Sequence, residues 1–291
     1  MANVINVSKW IEENKSSFNP PVCNKLMHNE QLVVMFVGGP NQREDYHIEQ
    51  GEELFYQLKG DMCVKIIENG QHRDVHIKEG EFFLLPARIP HSPQRTAGSI
   101  GLVIERKRSL DETDAVRWFV PNSTQVLYEK WFHCKDLGTE LIPLIKTFFA
   151  SEEYRTKIPG KNVQSEQPYS LNNVTLDRQG HGPFNFEARV KSIESDSANL
   201  APHDLQFSVM VLKNGQHEFE HFYQNGLDLW LWLLKGSAQL TLNCSNTNKQ
   251  QSTKLFTNDS FLVTPSDNQK LGIEVDEDAL LIVIGQDPGK K

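Results

Sequence analysis

A stretch of strand-like text occurs twice in this chain, and that repetition limits the available folds more than any other feature. Glu53-Leu-Phe-Tyr-Gln-Leu-Lys-Gly60 aligns without a gap on Leu229-Trp-Leu-Trp-Leu-Leu-Lys-Gly236, and Phe82-Phe-Leu-Leu-Pro86 aligns on Phe261-Leu-Val-Thr-Pro265. A repeat of domain size with strand character implies two copies of one β domain. In the first copy, Leu32–Val37 runs into Gly38-Gly39-Pro40, and Glu53–Ile67 alternates before Glu68-Asn69-Gly70, a strong hairpin signal. Asp74–Ile77, Glu81–Leu85 and Ile100–Glu105 continue the series. In the second copy Phe184–Val190, Gln206–Leu212, Leu229–Leu242, Phe261–Val263 and Leu280–Ile284 read as strands. Short strands at turn-bounded spacing predict an all-β chain of barrel or sandwich domains. Two helices are expected, Ser8–Asn14 and Gly138–Tyr154, with Pro143 near the start of the second or kinking it. Residues 155–182 lack apolar periodicity, so the domains are expected at 1–160 and 178–291, with 161–177 as the linker.

Composition narrows the function. The length of 291 residues suits two domains of roughly 150. Thirty basic and thirty-eight acidic residues give a net charge of −8, which argues against nucleic acid as a partner. No apolar run approaches the ~18 residues that cross a bilayer, and the amino terminus lacks the pattern of a signal peptide. The expectation is a cytosolic protein without a membrane partner. Cysteines 23, 63, 134 and 244 are scattered without a close pair, as expected of free thiols. The N-x-S/T triplets beginning at Asn122, Asn173 and Asn243 are expected to be unmodified.

The first copy carries His47-Ile-Glu-Gln-Gly-Glu-Glu53 and Pro86-Ala-Arg-Ile-Pro-His91. A histidine beside a turn, a glutamate at the mouth of a strand and a histidine after a proline turn can converge inside a small barrel. Two imidazoles and one carboxylate on one face of a metal leave three positions open, which suits ferrous iron handling a chelating substrate and dioxygen. Arg43 shares parity with His47 on an extended segment, as Arg95 does with His91, so each pair can face one cavity. Glu105 interrupts an apolar strand, where a charge belongs at the strand end or in a functional pocket. Taken singly, each of these residues is more often a solvated or core residue; the combination carries the reading.

These segments resemble the cupin superfamily. His47-x-Glu49-x3-Glu53-x6-Gly60 matches its first motif with Glu49 in place of the second histidine. Gly80-x5-Pro86-x4-His91-x3-Arg95 matches the second, with Arg88 and Arg95 where glycine and asparagine are usual. The wording Asn41-Gln-Arg43-Glu-Asp-Tyr-His47 and Leu85-Pro-Ala-Arg-Ile-Pro-His91-Ser-Pro-Gln-Arg95 is similar to the 3-hydroxyanthranilate dioxygenases, in the long two-domain form of animals. The resemblance implies two jelly-roll cupin domains and Fe(II) held by His47, Glu53 and His91. It implies that Arg95 and Glu105 contact the carboxylate and amino side of the substrate, with Glu53 also in reach. It places Arg43 near the dioxygen and substrate site, so that Arg43, Glu53 and Glu105 form the catalytic set. The implied reaction takes 3-hydroxyanthranilate and O2 to 2-amino-3-carboxymuconate semialdehyde, the precursor of quinolinate in NAD biosynthesis from tryptophan. The absence of the carboxy-terminal cysteine pair of the short bacterial form fits a monomer. The alternatives are a bicupin that binds or stores a metal or small acid, and a metal-dependent cupin isomerase.

The second copy lacks this equipment. Counting from Gly236 and Pro265 matches Glu53 with Leu229, His47 with Tyr223, His91 with Lys270 and Arg95 with Glu274. The second domain is therefore expected to be metal-free. His217-Glu-Phe-Glu-His221 is a literal zinc-protease string, but that string needs a helix, and the flanks read as strands.

Overall fold

The computed structural model describes residues 4–20, 23–134, 137–160, 163, 167–179, 181–219, 226–244, 249–265 and 269–290. The first copy consists of two antiparallel sheets. One runs in the spatial order Phe184–Asn185, Glu81–Leu85, Glu53–Lys59, Ile100–Arg106, Leu32–Gly38, Asn24–Asn29. The other runs Val126–Phe132, Asp114–Phe119, Tyr46–Ile48, His91–Arg95, Met62–Glu68, Gln71–Ile77. The second copy repeats four consecutive strands of each: Asp259–Val263, Leu229–Lys235, Leu280–Gln286 and Phe207–Leu212, then Gly215–Phe219, Gln269–Val275, Ser237–Cys244 and Lys249–Phe256. Paired sheets of this kind are the jelly-roll architecture. The Lys-Gly that ends each repeat has a backbone reason: Gly60 and Gly236 sit at φ +66° and +81°, where a side chain is strained. Asn69 and Gly70 are both at positive φ, as the tight hairpin between Met62–Glu68 and Gln71–Ile77 requires.

Alternation places most of the buried apolar residues in three large cores. Phe55, Phe83 and Val103 fill the first barrel, and Leu231, Phe261 and Val283 fill the second. The opposite faces of the same strands meet between the barrels, where Leu54, Leu102 and Ile104 join Val209, Trp230 and Ile282 in one core. That explains why Leu229–Leu233 is apolar on both faces: neither face meets water. Each barrel also lends the other an edge strand. Ile5–Asn6 pairs with Asp259–Ser260 of the second barrel, while Phe184–Asn185 pairs with Glu81–Phe82 of the first.

Some expectations shift. The first helix is Val7–Glu13, capped by the Asn6 side chain, which accepts from the Lys9 amide. The second runs Leu137–Phe149 with Pro143 in its interior, and the chain re-enters a helix at Glu152–Thr156. Phe184–Val190 does not continue as a strand, because Asn185 accepts a hydrogen bond from the Ala188 amide and caps a helix over Phe186–Lys191. The described part of 161–177 straps the first barrel. Asn172 Nδ2 donates to Ala87 O at 3.1 Å, Asn69 Nδ2 donates to Thr175 Oγ1 at 2.9 Å, and Leu176 is fully buried in that barrel's core. Cys23 and Cys134 are buried free thiols and Cys63 is a half-buried one; the side chain of Cys244 lies outside the described residues. Among the described residues no helix is long and apolar enough to cross a membrane.

Candidate metal centre

Strands Tyr46–Ile48 and His91–Arg95 are neighbours, with His47 directly opposite His91. Glu53 opens the strand Glu53–Lys59 of the facing sheet and points inward with Phe55. The three side chains meet in the barrel interior, at 1% (His47), 6% (Glu53) and 2% (His91) exposure. His91 Nε2 lies 2.7 Å from Glu53 Oε1, and His47 Nδ1 lies 3.9 Å from the same oxygen. Together with Glu49 they offer ligand atoms that all lie within 4.8 Å of one another. In each imidazole the other nitrogen is already committed. His91 Nδ1 sits 2.9 Å from Ile89 O, and His47 Nε2 sits 2.8 Å from Asp114 Oδ2. A ring whose far nitrogen donates to a fixed acceptor presents a lone pair at the near one, which is how ligating histidines are held. The donor set therefore fits a divalent metal.

Behind the ligands lies a charge network that sequence reasoning missed. Arg108 reaches Glu49 Oε2 at 2.8 Å, Glu105 Oε1 at 3.0 Å and Asp114 Oδ2 at 3.2 Å. Its guanidinium links the acceptor of His47 to Glu105. Glu49 stood out in the sequence only as a replaced histidine, and Arg106-Lys-Arg108 looks like a solvated run. Only the fold shows that Arg108 is buried.

The electrostatics follow from burial. Burial raises the Glu49 carboxyl well above its ordinary range, and the charges of Glu105 and Glu53 add to that against Arg108. Glu53 goes the other way: although burial opposes it, His91 and the hydrogen bonds from both imidazoles hold its carboxyl well below the usual range. For His47 burial works to lower the pKa, but the hydrogen bonds with Asp114 and Glu53 and the Asp114 charge together raise it. Arg95 is 5% exposed, and desolvation lowers its pKa to about 10. Arg95 Nε and Glu49 Oε1 are buried with no hydrogen-bond partner among the described residues. A buried guanidinium N–H without a partner carries a desolvation cost that a charge-assisted hydrogen bond to an anion would offset. Arg43 bonds Asp45 through its guanidinium, and the Gln94 side chain bonds both the amide and the carbonyl of Arg43. Arg43 and Arg95 both bear electrostatically on Glu53. The structure thus gathers His47, Glu53, His91, Arg43, Arg95 and Glu105 in and around one barrel interior.

Following the ladders corrects the sequence count for the second barrel. With Met62 over Ala238, the pairing Ile66–His91 becomes Leu242–Leu271, and Met62–Arg95 becomes Ala238–Val275. His47 opposite His91 becomes Phe219 opposite Leu271. The counterparts of the ligands are therefore Phe219, Leu229 and Leu271, all buried, rather than Tyr223, Leu229 and Lys270; Arg95 corresponds to Val275 instead of Glu274. Tyr223 lies outside the described residues, as does His221 of the zinc-protease string. His217 is on the strand Gly215–Phe219, which rules out the helix that string needs.

Fold and site define a two-domain cupin whose metal centre is built in the first barrel. The 3-hydroxyanthranilic acid dioxygenase family matches residues 1–149. Curated relatives named 3-hydroxyanthranilate 3,4-dioxygenase match over nearly the full length. The Xenopus laevis protein is 48% identical over 90% of this chain and 91% of its own. The Homo sapiens protein is 48% identical over 83% and 84%, and the Mus musculus protein 44% identical over 100% and 99%. Among solved structures, an oxalate decarboxylase from Bacillus subtilis superposes with a TM-score of 0.49 at 15% identity, covering 90% of this chain and 71% of that one. The chain belongs to the 3-hydroxyanthranilic acid dioxygenase family.

Proposed function

We propose that this chain is an Fe(II)-dependent ring-cleaving dioxygenase. It converts 3-hydroxyanthranilate and O2 to 2-amino-3-carboxymuconate semialdehyde, the precursor of quinolinate in NAD biosynthesis from tryptophan. The observation that carries this reading is the buried two-histidine, one-carboxylate set with an unpartnered Arg95 beside it. When bound, iron supplies the redox chemistry that lets a chelating aromatic react with dioxygen. His47, Glu53 and His91 hold it, with Asp114 and the Ile89 carbonyl fixing the two rings. Arg95 takes the ring carboxylate, Glu105 takes the amino side, and Arg43 stands by the dioxygen. Burial keeps bulk water from these groups, so charge-assisted bonds to the substrate orient the ring without competition. The second barrel serves as structural support without metal, which Phe219, Leu229 and Leu271 at the ligand positions favour. A cytosolic setting belongs to this reading, and a monomer fits the use of the main apolar strand faces within the chain.

The test is oxygen uptake by anaerobically iron-loaded protein on addition of 3-hydroxyanthranilate. Uptake with ring cleavage is expected, and His91→Ala should abolish both tight iron binding and uptake. Iron-loaded protein that consumes no oxygen with this acid, or a His91→Ala variant that keeps its iron, would overturn the reading.

A further inference from the structure

The first barrel presents a second set of metal-ligating side chains on its outer wall, away from the buried centre. In the hairpin ladder Cys63 is directly opposite His76, and Asp74 lies two residues before His76 on the same face. A residue, its cross-strand partner and that partner's i±2 neighbour are the closest same-face positions a β ladder offers. Cys63, Asp74 and His76 present a sulfur, an oxygen and a nitrogen all within 4.8 Å of one another. Met62, Val64 and Ile77, their neighbours in sequence, point the opposite way into the barrel core. The wall between the two clusters is therefore the sheet itself.

We propose that Cys63, Asp74 and His76 form a surface binding site for a thiophilic divalent cation of the zinc class. Thiolate, imidazole and carboxylate are the donors zinc takes, and three protein ligands leave a fourth tetrahedral position to water. The half-exposed setting supplies that water: Cys63 is half-buried and the other two are exposed. Among the described residues Asp74 makes no ion pair, and neither Asp74 nor the His76 ring has a side-chain hydrogen bond, although Lys65 stands opposite Asp74 in the ladder. Burial and then the Asp74 charge hold the Cys63 thiol above its ordinary pKa, while Lys65 and the Val75 amide favour the thiolate. A carboxylate that disfavours the neighbouring thiolate is the arrangement a dication resolves, since it attracts both charges. Binding releases the thiol proton to solvent and changes no oxidation state.

Cobalt(II) reports this site separately from the catalytic centre, which has no thiolate among its ligands. Full-length, iron-loaded protein titrated with Co(II) should gain a near-ultraviolet thiolate-to-cobalt band with tetrahedral visible bands, and Zn(II) should displace it. Cys63→Ser should remove the near-ultraviolet band, and His76→Gln should weaken Co(II) binding at least roughly tenfold, about 1.4 kcal/mol. Asp74→Asn should weaken it by less, because the amide oxygen still faces the ion. Iron content of the three variants should match the parent. A titration without the thiolate band, or a band that survives Cys63→Ser, would overturn the site.

Discussion

At the residue scale, the chemistry depends on charges that the fold buries and then answers with a partner. Arg95 is the exception, since its side chain has no hydrogen bond or ion pair among the described residues and its Nε is buried. If the substrate carboxylate is that partner, Arg95→Ala leaves an anion uncompensated in a closed pocket, at a cost of about 2–5 kcal/mol. The expected result is a fall in kcat/KM of roughly 30- to 5,000-fold with iron content unchanged, and only partial rescue by Arg95→Lys. Wild-type kinetics in Arg95→Ala would remove the carboxylate from that position. Arg108 makes the opposite case. It is the cation that bridges Glu49, Glu105 and Asp114 among the described residues, so Arg108→Ala leaves Glu49 and Glu105 buried without it, while Asp114 keeps His47. Breaking a buried pair by removing one partner costs about 3–5 kcal/mol. Chemical denaturation should show a loss of that size, and an unchanged midpoint would show that the network contributes nothing. The clustering of His47, Glu53 and His91 was legible in the sequence because each sits at a fixed offset from a turn-forming glycine or proline. Arg108 and Asp114 were not, because no local pattern says that a charge following a strand will turn inward.

At the element scale, strand existence was legible and strand register was not. The repeat ending at Gly60 and Gly236 located equivalent strands, but loops of different length separate the strands in the two copies. Counting through those loops slipped by one residue at His91, onto Lys270 where the ladder has Leu271. A slip of one moves a side chain to the other face of its sheet, so an exposed lysine stood where a core leucine belongs. Long-range pairing was also invisible: nothing near Ile5 or Phe184 announces that each completes the other barrel's sheet. The same seam holds Glu52, whose carboxylate accepts the amides of Gln206 at 2.8 Å and Phe207 at 3.2 Å. Burial, with Asp204 adding, raises its pKa from 4.5 to about 7. The folded state then holds this proton more tightly than the unfolded chain does. Stability from Glu52 is full below the unfolded value, falls as pH rises from about 4.5 to about 7, and is level above. Glu52→Gln keeps an acceptor for both amides without the charge. It should be more stable than the parent at pH 8 by at most about 3 kcal/mol, with the difference vanishing near pH 4. Denaturation midpoints across that range measure it; parallel pH profiles for the two proteins would exclude the effect.

At the scale of the whole molecule, the two barrels share one core, so the metal centre rests on packing that the second barrel supplies. Leu54 and Ile104 face the second barrel from strands whose other faces carry Glu53 and Glu105, one residue away on each. Ending the chain near residue 177 exposes that apolar face, removes the Phe184–Asn185 edge strand and leaves Ile5–Asn6 without a sheet to join. Water would meet Leu32, Val34, Phe36, Leu54, Leu102 and Ile104 together, and a side chain of this class contributes about 1.5–3 kcal/mol when fully buried. The six losses together, roughly 9–18 kcal/mol, are as large as the 5–15 kcal/mol that typically separates a folded domain from its unfolded chain. The fragment 1–177 should therefore aggregate or bind a hydrophobic dye, and should hold iron poorly although every ligand is present. Restoring residues 178–191 returns the edge strand and the Phe186–Lys191 helix but leaves the face uncovered, so it should not rescue solubility. Expression of both fragments, followed by size-exclusion chromatography and iron analysis, decides the matter. A soluble monomeric 1–177 with the parent's melting temperature and iron content would show that the first barrel stands alone.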